Sequence, residues 1–233
     1  MQFTWEDQSI RWFIDASEYT GFHKTLAQML LPYLKSDDSV CDMGCGLGRL
    51  DLELAPYVSD FTSIDLSSQC IDILSADAAK RGLTNLNARV QDASEFEQDF
   101  DIIIMTFFGE SGMAQYLKRT RRKIIRVVSA TNNSGLFPER HRSKGKTLVA
   151  DVQDELARES INYTLKLDSI EFGQPLSSES DAKRYILKNA PDASDDEVTE
   201  FFKEKVSHTG RQDFPFYLPH MKEFGIFLID KES

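Results

Sequence analysis

Short apolar runs alternate with longer amphipathic segments between residues 40 and 130. The run Phe100–Met105 is apolar at nearly every position, which is typical of a strand buried on both faces of a parallel sheet. In one of the longer segments, Ile71, Leu74 and Ala78 recur at helical spacing. The pattern predicts strands at 40–43, Phe61–Leu66, Leu86–Val90, Phe100–Thr106 and Lys123–Ala130, with helices starting at Leu50 and spanning Ser67–Ala79. This alternation predicts an α/β fold.

Further elements are predicted on both sides of this region. They are helices at Ile10–Ala16, Phe22–Leu34, Thr147–Glu159, Ser180–Asn189 and Ser194–Ser207, and strands at Tyr163–Phe172 and Phe224–Asp230. Pro32 is expected to bend or end the second helix. The last helix opens with Ser194 and Glu197 in a capping-box pattern. Because long insertions between neighbouring strands often form lids, we expect the helical insertion to cover a site.

An acid and three alternate glycines follow the first strand. Asp42 stands two residues before Gly44, and the glycine spacing is G-x-G-x-G. Glycine tolerates positive φ and lets a ligand approach the backbone amides at the start of the next helix. Arg49 occupies the position where the dinucleotide fingerprint has its last glycine. The turn therefore predicts a site for a nucleotide-like ligand that is not a dinucleotide.

This segment resembles motif I of the class I S-adenosylmethionine-dependent methyltransferases. The resemblance covers residues 25–130 by motif, and it implies S-adenosyl-L-methionine as cofactor and S-adenosyl-L-homocysteine as product. Asp65 matches the family's ribose-binding acid, and Asp92, with Ala93 as backbone partner, matches the position that holds the adenine amino group. The expected cofactor-binding residues are Asp42, Gly44, Cys45, Gly46, Gly48, Asp65, Leu66, Asp92, Ala93 and Thr106.

The resemblance also implies a fold. It is an α/β Rossmann-like fold with a seven-stranded sheet, mostly parallel with an antiparallel last strand, with helices on both faces. N-terminal helices and the helical insertion are added to this sheet. We expect a single methyltransferase domain over 1–233: an N-terminal helical cover (1–36), a Rossmann-like core (37–175), a helical insertion or cap (176–214) and a final strand (215–233).

The segment after the fourth strand bears on the methyl acceptor. Members of the family that methylate amino groups of DNA bases or protein glutamine carry Asn or Asp, two prolines and an aromatic residue there, whereas this chain has Thr-Phe-Phe-Gly-Glu at 106–110. This difference favours a small-molecule acceptor. The catalytic candidates are Glu110 at the mouth of the crevice, His141 as a base, and Tyr19 from the N-terminal helices. A helix-terminal acid, a surface histidine and a packed tyrosine would look the same.

The charge distribution limits the partners. A net charge of −11 argues against a broad nucleic-acid surface, and DNA is not expected. Residues 118–146, however, carry ten lysines and arginines against a single acid, Glu139. An RNA methyltransferase that uses this basic stretch is therefore an alternative, and a cofactor-binding protein without transfer activity is another.

Composition and cysteine content suggest where the protein works. With 41% hydrophobic residues the chain is not wholly disordered, and no apolar stretch approaches the roughly 18 residues of a membrane helix. The N-terminus lacks the basic start of a signal peptide. Cys41, Cys45 and Cys70 cannot all pair and are expected to be reduced thiols, not zinc ligands. We expect a cytoplasmic enzyme without a metal or a membrane partner.

Overall fold

The computed structural model describes residues 6–109, 111–132, 135–141 and 145–231, except for the side chain of Glu139. The ten strands within this part are β1 (Ser39–Met43), β2 (Asp60–Asp65), β3 (Leu86–Val90), β4 (Phe100–Thr106), β5 (Thr120–Ser129), β6 (Thr164–Glu171), β7 (Gln174–Leu176), β8 (Ser207–His208), β9 (Phe216–Leu218) and β10 (Met221–Asp230). Seven form the main sheet, in the order β3-β2-β1-β4-β5-β10-β6. Strands β1 to β5 are parallel, and β10 is antiparallel to both of its neighbours. The predicted α/β fold is confirmed.

All of the helices in the described part of the chain except α5 lie where the sequence pattern predicts a helix. They are α1 (Asp7–Thr20), α2 (Phe22–Leu30), α3 (Asp51–Leu54), α4 (Ser68–Lys80), α5 (Met113–Arg119), α6 (Val149–Arg158), α7 (Glu179–Asn189) and α8 (Asp195–Lys205). The α-helix predicted to reach Leu34 ends at Leu30 and continues as a 3-10 turn that contains Pro32, because proline cannot donate the next helical hydrogen bond. Among the described residues, no helix is long and apolar enough to cross a membrane.

Strand β4 shows how the two layers of helices are held to the sheet. Its side chains alternate between faces, and both faces are buried. Ile102 and Ile104 belong to the core cluster that α2 closes, whereas Ile103 and Met105 belong to the cluster on the other face, with residues of α5 and α6.

The order of the strands locates a crevice. Strand β1 lies between β2 and β4, so the chain leaves β1 on one side and later returns on the other. In open parallel sheets, ligands bind at such a switch point, outside the carboxyl ends of the strands. In this chain the switch point lies at the ends of β1 and β4.

The insertion contains the two predicted helices and also a small sheet that the sequence pattern does not predict. Strands β7, β9 and β8 pair antiparallel in that order. The predicted capping box is confirmed: Ser194 Oγ accepts from the amide of Glu197, and Glu197 Oε2 accepts from the amide of Ser194 at 3.1 Å. The insertion contacts α1 through Asp181, which accepts hydrogen bonds from Arg11 at 2.7 Å and from Trp12 Nε1 at 3.1 Å.

Candidate functional site

The glycine turn lies directly after β1, at the switch point. Gly44, Gly46 and Gly48 have φ angles of 74°, 52° and 59°, which favour glycine. The amides of Gly44 and Cys45 both donate to the carbonyl of Ile64, at 2.9 and 3.0 Å. These bonds hold the turn against the end of β2, so its position relative to the second strand is fixed.

Two of the glycines lie where a side chain has no room. A Cβ on Gly48 would lie 2.4 Å from the side chain of Leu74 in α4, and a Cβ on Gly44 would lie 2.2 Å from the ring of Phe108. Glycine therefore lets α4 approach the turn on one side and the chain after β4 approach it on the other.

Asp65 links the turn to the next helix. Its Oδ2 accepts from the amide of Gly46 at 2.8 Å, and its Oδ1 accepts from the amide of Ser67 at 2.8 Å. Ser67 is the N-cap of α4. An ionised carboxylate has about four acceptor positions. The two backbone bonds thus leave this partly exposed carboxylate able to accept further hydrogen bonds.

The ends of β2 and β3 carry exposed apolar side chains beside the two acids. Leu66 is 51% exposed and Val90 is 54% exposed, and Val90 is the register partner of Asp65. Asp92 follows β3, and its Oδ1 accepts from both the amide and the hydroxyl of Ser94, which lowers the pKa of Asp92. Ala93 is buried behind it. Large exposed apolar side chains beside fixed polar groups are typical of a ligand site. The sequence pattern did not identify Val90.

Asp42 lies beneath the turn, next to a second acid that the sequence pattern did not identify. Asp42 and Asp51 are both buried, and Ser63 Oγ donates to Asp51 Oδ2 at 2.5 Å. Burial raises the pKa of Asp42 well above its usual range, and the charge of Asp51 adds to this effect. Burial also raises the pKa of Asp51, to about 6, although hydrogen bonds from Asp42 and Ser63 act in the opposite direction. Two adjacent buried carboxyl groups are favourable only when one of them carries a proton, and the larger increase in pKa at Asp42 places the proton there.

Arg49 takes a structural position next to the turn. It is 8% exposed, and its guanidinium contacts Glu18 of α1 at 2.7 Å and Asp77 of α4 at 3.0 Å. The residue that departs from the dinucleotide fingerprint thus joins α1 to the helix that follows β2.

Cys45 lies in the turn itself, and burial raises the pKa of its thiol well above the usual range, so that it stays protonated.

The chain bends sharply at the carboxyl end of β4. Phe107 has a φ of 53°, which is uncommon for a bulky residue. This bend sends the Phe107 ring to the α2 face of the sheet, while Phe108 packs on the opposite face and over Gly44. Thr106 precedes the bend, and its buried Oγ1 has no hydrogen-bond partner among the described residues.

The two predicted catalytic residues that the structure describes, Tyr19 and His141, contact different side chains. Tyr19 stacks on Tyr217 at 5.0 Å between ring centroids, with the guanidinium of Arg211 at 5.1 Å. His141 Nε2 lies 3.0 Å from a carboxylate oxygen of Glu197 in α8. Glu110 lies outside the described residues. Tyr19 and His141 thus contact the segment between β6 and β10, and their catalytic roles stay predictions.

A lysine that the sequence pattern did not identify lies over the ring of Phe107. Lys222 Nζ is 3.6 Å from the centroid of this ring. Burial lowers the pKa of Lys222 to about 7, and the charge of Lys146 adds to the effect. Nearby, burial lowers the pKa of His23 to about 3, and its Nδ1 lies 2.7 Å from Ser17 Oγ. His23 is therefore neutral at physiological pH.

Comparison with known proteins agrees with this geometry. A family model described as "Methyltransferase domain" matches residues 34–190, which is more than half of the chain. The chain belongs to this family. The predicted family is thereby confirmed, and the matched part of the methyltransferase domain includes the glycine turn, Asp65, Asp92 and α7.

Individual relatives are distant. The ribosomal protein L11 methyltransferase of Thermotoga neapolitana is 24% identical over 156 residues, which are 63% of this chain and 58% of that protein. The chain thus spans little more than half the length of that curated relative.

Solved structures show the same fold. The YcgJ protein of Bacillus subtilis superposes with a TM-score of 0.59 at 14% identity, over 91% of this chain and 99% of that chain. The magnesium protoporphyrin IX methyltransferase of Synechocystis, solved with bound S-adenosylhomocysteine, superposes with a TM-score of 0.55 at 11% identity, over 98% of this chain and 90% of that chain. At these identities the likeness is one of fold.

Proposed function

We propose that the protein is an S-adenosylmethionine-dependent methyltransferase that acts on a small-molecule acceptor. One observation carries the proposal: the hydrogen bond from the Gly46 amide to Asp65 Oδ2, at 2.8 Å, which joins the glycine turn to the end of β2 at the switch point. Family membership and the likeness to a structure with bound S-adenosylhomocysteine support it. The cofactor would supply a methyl group already activated by a sulfonium.

The residues at the strand ends fit the parts of this cofactor. The turn at Gly44, Gly46 and Gly48 would hold its amino-acid end, and the free acceptor positions of Asp65 would receive the ribose hydroxyls. Leu66 and Val90 offer apolar surface for the flat adenine, since both are exposed at the same edge. Asp92 and the backbone of Ala93 would then recognise the adenine amino group. In this assignment Asp42 supports the turn from below through Asp51. It makes no direct contact with the cofactor.

Two features support a small-molecule acceptor. The segment 176–214, which we propose to be a cap, is joined to α1 through Asp181 and therefore can enclose a small site. Structural neighbours include methyltransferases for magnesium protoporphyrin IX and for geranyl diphosphate, both of which are small molecules. A Rossmann-like core with such a cap is the domain division that we propose for the chain.

Calorimetric titration with S-adenosylhomocysteine tests the proposal. We expect the wild-type protein to bind it and Asp65→Asn to bind about 10- to 100-fold more weakly, because a hydrogen bond to a charged group contributes roughly 1.5–3 kcal/mol. Asp72→Asn, which removes the same charge from an exposed position of α4, should bind as wild type does. Absence of binding to the wild type, or equal binding by the Asp65 variant, would show that the assignment is wrong.

Transfer itself needs a separate measurement. S-adenosylmethionine with a labelled methyl group, incubated with the protein and a small-molecule cell extract, should place label on an extract component. Binding of the cofactor without transfer to any extract component would instead favour a cofactor-binding protein that has no transferase activity.

A further inference from the structure

Lys222 lies at the same edge of the sheet as the proposed cofactor site. Strand β10 runs antiparallel to β5, and Phe224 pairs with Ser129, the last residue of β5. Lys222 therefore lies beyond the carboxyl end of β5. Side chains alternate along a strand, so Lys222 shares a face with Phe224 and Ile226, which belong to the core cluster on the α2 side.

Three phenylalanine rings surround the amine of Lys222. Nζ lies 3.6 Å from the centroid of Phe107, 5.4 Å from that of Phe172 and 5.8 Å from that of Phe22. The Phe22 and Phe172 rings also pack against each other at 4.5 Å. The rings come from α2, the end of β4 and the end of β6. We call Lys222 and these three rings the lysine box.

The charged groups around the lysine box do not neutralise the amine. On α2, His23 is neutral, and in the loop before α6, Lys146 is a like charge that lowers the pKa of Lys222 further. At the end of β6, Glu171 accepts a hydrogen bond from the hydroxyl of Tyr217 at 2.7 Å, and on β10 the neighbouring Glu223 points to the opposite face. Among the described residues, no carboxylate raises the pKa of Lys222. Burial favours the neutral amine, and the attraction of the three ring faces for an ammonium acts in the opposite direction.

The lysine box also adjoins the cofactor turn. Phe107, one of its walls, is followed directly by Phe108, whose ring covers Gly44. The two rings lie on opposite faces because of the positive φ at Phe107. The amine and the glycine turn thus lie on the two sides of this short segment, at the same end of the sheet.

We propose that Lys222 is the general base of the reaction and that the acceptor is a phenolic or enolic hydroxyl. The inference rests on the proposed methyltransferase function. An oxygen lone pair of the acceptor forms the new bond to the methyl carbon, the carbon–sulfur bond breaks, and its electron pair stays on sulfur. The hydroxyl proton goes to the neutral amine of Lys222, and the resulting ammonium returns it to solvent.

The walls of the box select the class of acceptor. Phenylalanine rings favour a flat, apolar molecule. General-base catalysis is efficient when the base has a pKa near the working pH, and a phenol or enol is acidic enough to transfer its proton to such an amine. A cationic acceptor is disfavoured, because each turnover protonates Lys222 beside it.

A phenol whose ionised form absorbs at longer wavelength tests the proposal without turnover. We choose para-hydroxyacetophenone, added to protein saturated with S-adenosylhomocysteine, at a pH where the free probe and Lys222 are both mostly neutral. At this pH the ionised form should make up a larger fraction of the bound probe with the wild type than with Lys222→Met. Lys166→Met is the matched control, because Lys166 Nζ lies over the ring of Tyr33 at 5.2 Å, outside the box, and this variant should behave as wild type.

Proton counting separates a base from a fixed positive charge. Calorimetry in two buffers of different ionisation enthalpy should show no proton release when the probe binds to the wild type, since Lys222 takes the proton. Lys222→Arg keeps a charge but cannot accept a proton, so it should release one proton to the buffer. Failure of the probe to bind, or a proton released from the wild type, would overturn the proposal. If S-adenosylhomocysteine still binds in that case, the proposed function stands and the role of Lys222 alone is wrong.

Discussion

Gly44 is the residue at which the turn and the chain after β4 come closest. Its φ is 74°, and a Cβ at this position would lie 2.2 Å from the Phe108 ring. Gly82 has a similar φ of 68°, but nothing lies within 4 Å of its would-be Cβ. Both glycines have a left-handed backbone conformation, but only Gly44 has a ring against its would-be Cβ. They therefore form a matched pair for mutation.

Replacement of Gly44 by alanine should therefore be the more damaging of the two. We expect Gly82→Ala to lower the free energy of unfolding by about 1 kcal/mol for the left-handed backbone, and Gly44→Ala to lower it by a further ~1–3 kcal/mol for the overpacked ring. Denaturant unfolding measures both. In a double-mutant cycle, Phe108→Ala should remove most of the additional loss. Equal losses for the two glycine variants would mean that Phe108 does not press on the turn.

The buried pair of Asp42 and Asp51 makes stability depend on pH. In the unfolded chain both carboxyl groups ionise with a pKa of about 4. In the folded protein burial raises both values, to about 6 for Asp51. The folded state therefore binds more protons in this window, and the free energy of unfolding falls as the pH rises from about 4 through 6.

An amide at position 42 should reduce this dependence, because only Asp51 of the buried pair would then titrate. The side-chain amide introduced by Asp42→Asn would donate to Asp51 as the protonated acid does. We therefore expect the free energy of unfolding to vary less with pH than in the wild type. At pH 7 it should equal the wild-type value or exceed it by on the order of 1–3 kcal/mol. Denaturant titrations between pH 5 and 7 measure it. Asp60→Asn, at an exposed carboxylate, should keep the wild-type slope. A variant that is less stable at pH 7 would contradict the shared proton.

Among the elements, the insertion is attached to α1 in part through one buried acid. Asp181 is fully buried and accepts hydrogen bonds from Arg11, Trp12 Nε1, and both the amide and the hydroxyl of Ser177. These contacts join the start of α7 to α1.

Asp181→Ala should loosen the insertion while the main sheet stays intact. The change leaves several donors near α7 without their acceptor, and a buried donor left without a partner costs roughly 1–3 kcal/mol. Hydrogen exchange should accelerate in residues 174–218 and stay unchanged in β1 to β5. Asp192→Ala, an exposed acid between α7 and α8, is the control and should leave both regions as in the wild type. Uniform acceleration across the chain would mean that the insertion does not open separately.

The elements also show what could be predicted from the sequence. Strands such as β3 and β4 were predicted at their observed bounds, because each carries its apolar signal within its own residues. Strands β7 to β9 have two or three residues each, too few for an alternating pattern, and β7 pairs with a strand about 40 residues away. Their formation depends on tertiary contacts that no local pattern encodes.

The same distinction applies to the candidate site. Asp65 could be placed at a strand end from its neighbours in sequence, and the structure puts it there, hydrogen-bonded to Gly46. Lys222 could not be identified, because its box is built from Phe22, Phe107 and Phe172, which are far apart in the chain. A lone lysine at the start of a strand has no distinguishing pattern.

At the scale of the whole molecule, six cations in the described part of the basic stretch 118–146 are paired with acids from other elements. Ion pairs join Arg119 to Asp99, Arg121 to Asp101, Arg122 to Asp38, Lys123 to Asp230, Arg126 to Glu155 and Arg140 to Glu197. The exposed pairs among them stabilise little, whereas Arg126 and Glu155 are buried. All six pairs do, however, place a negative charge beside each of these cations, on a chain whose net charge is −11.

This balance predicts that RNA is not the acceptor. Binding to a polyanion requires uncompensated cations, since affinity comes from released counterions. We therefore expect the anisotropy of a fluorescent single-stranded RNA to stay constant on titration with the protein, even at low salt, where electrostatic binding is strongest. The opposite result would be an affinity whose logarithm falls with the logarithm of salt concentration by about 0.7 per neutralised phosphate. If Arg140→Gln weakened that affinity and Lys80→Gln, outside the stretch, did not, residues 118–146 would be an RNA surface and the small-molecule proposal would be wrong.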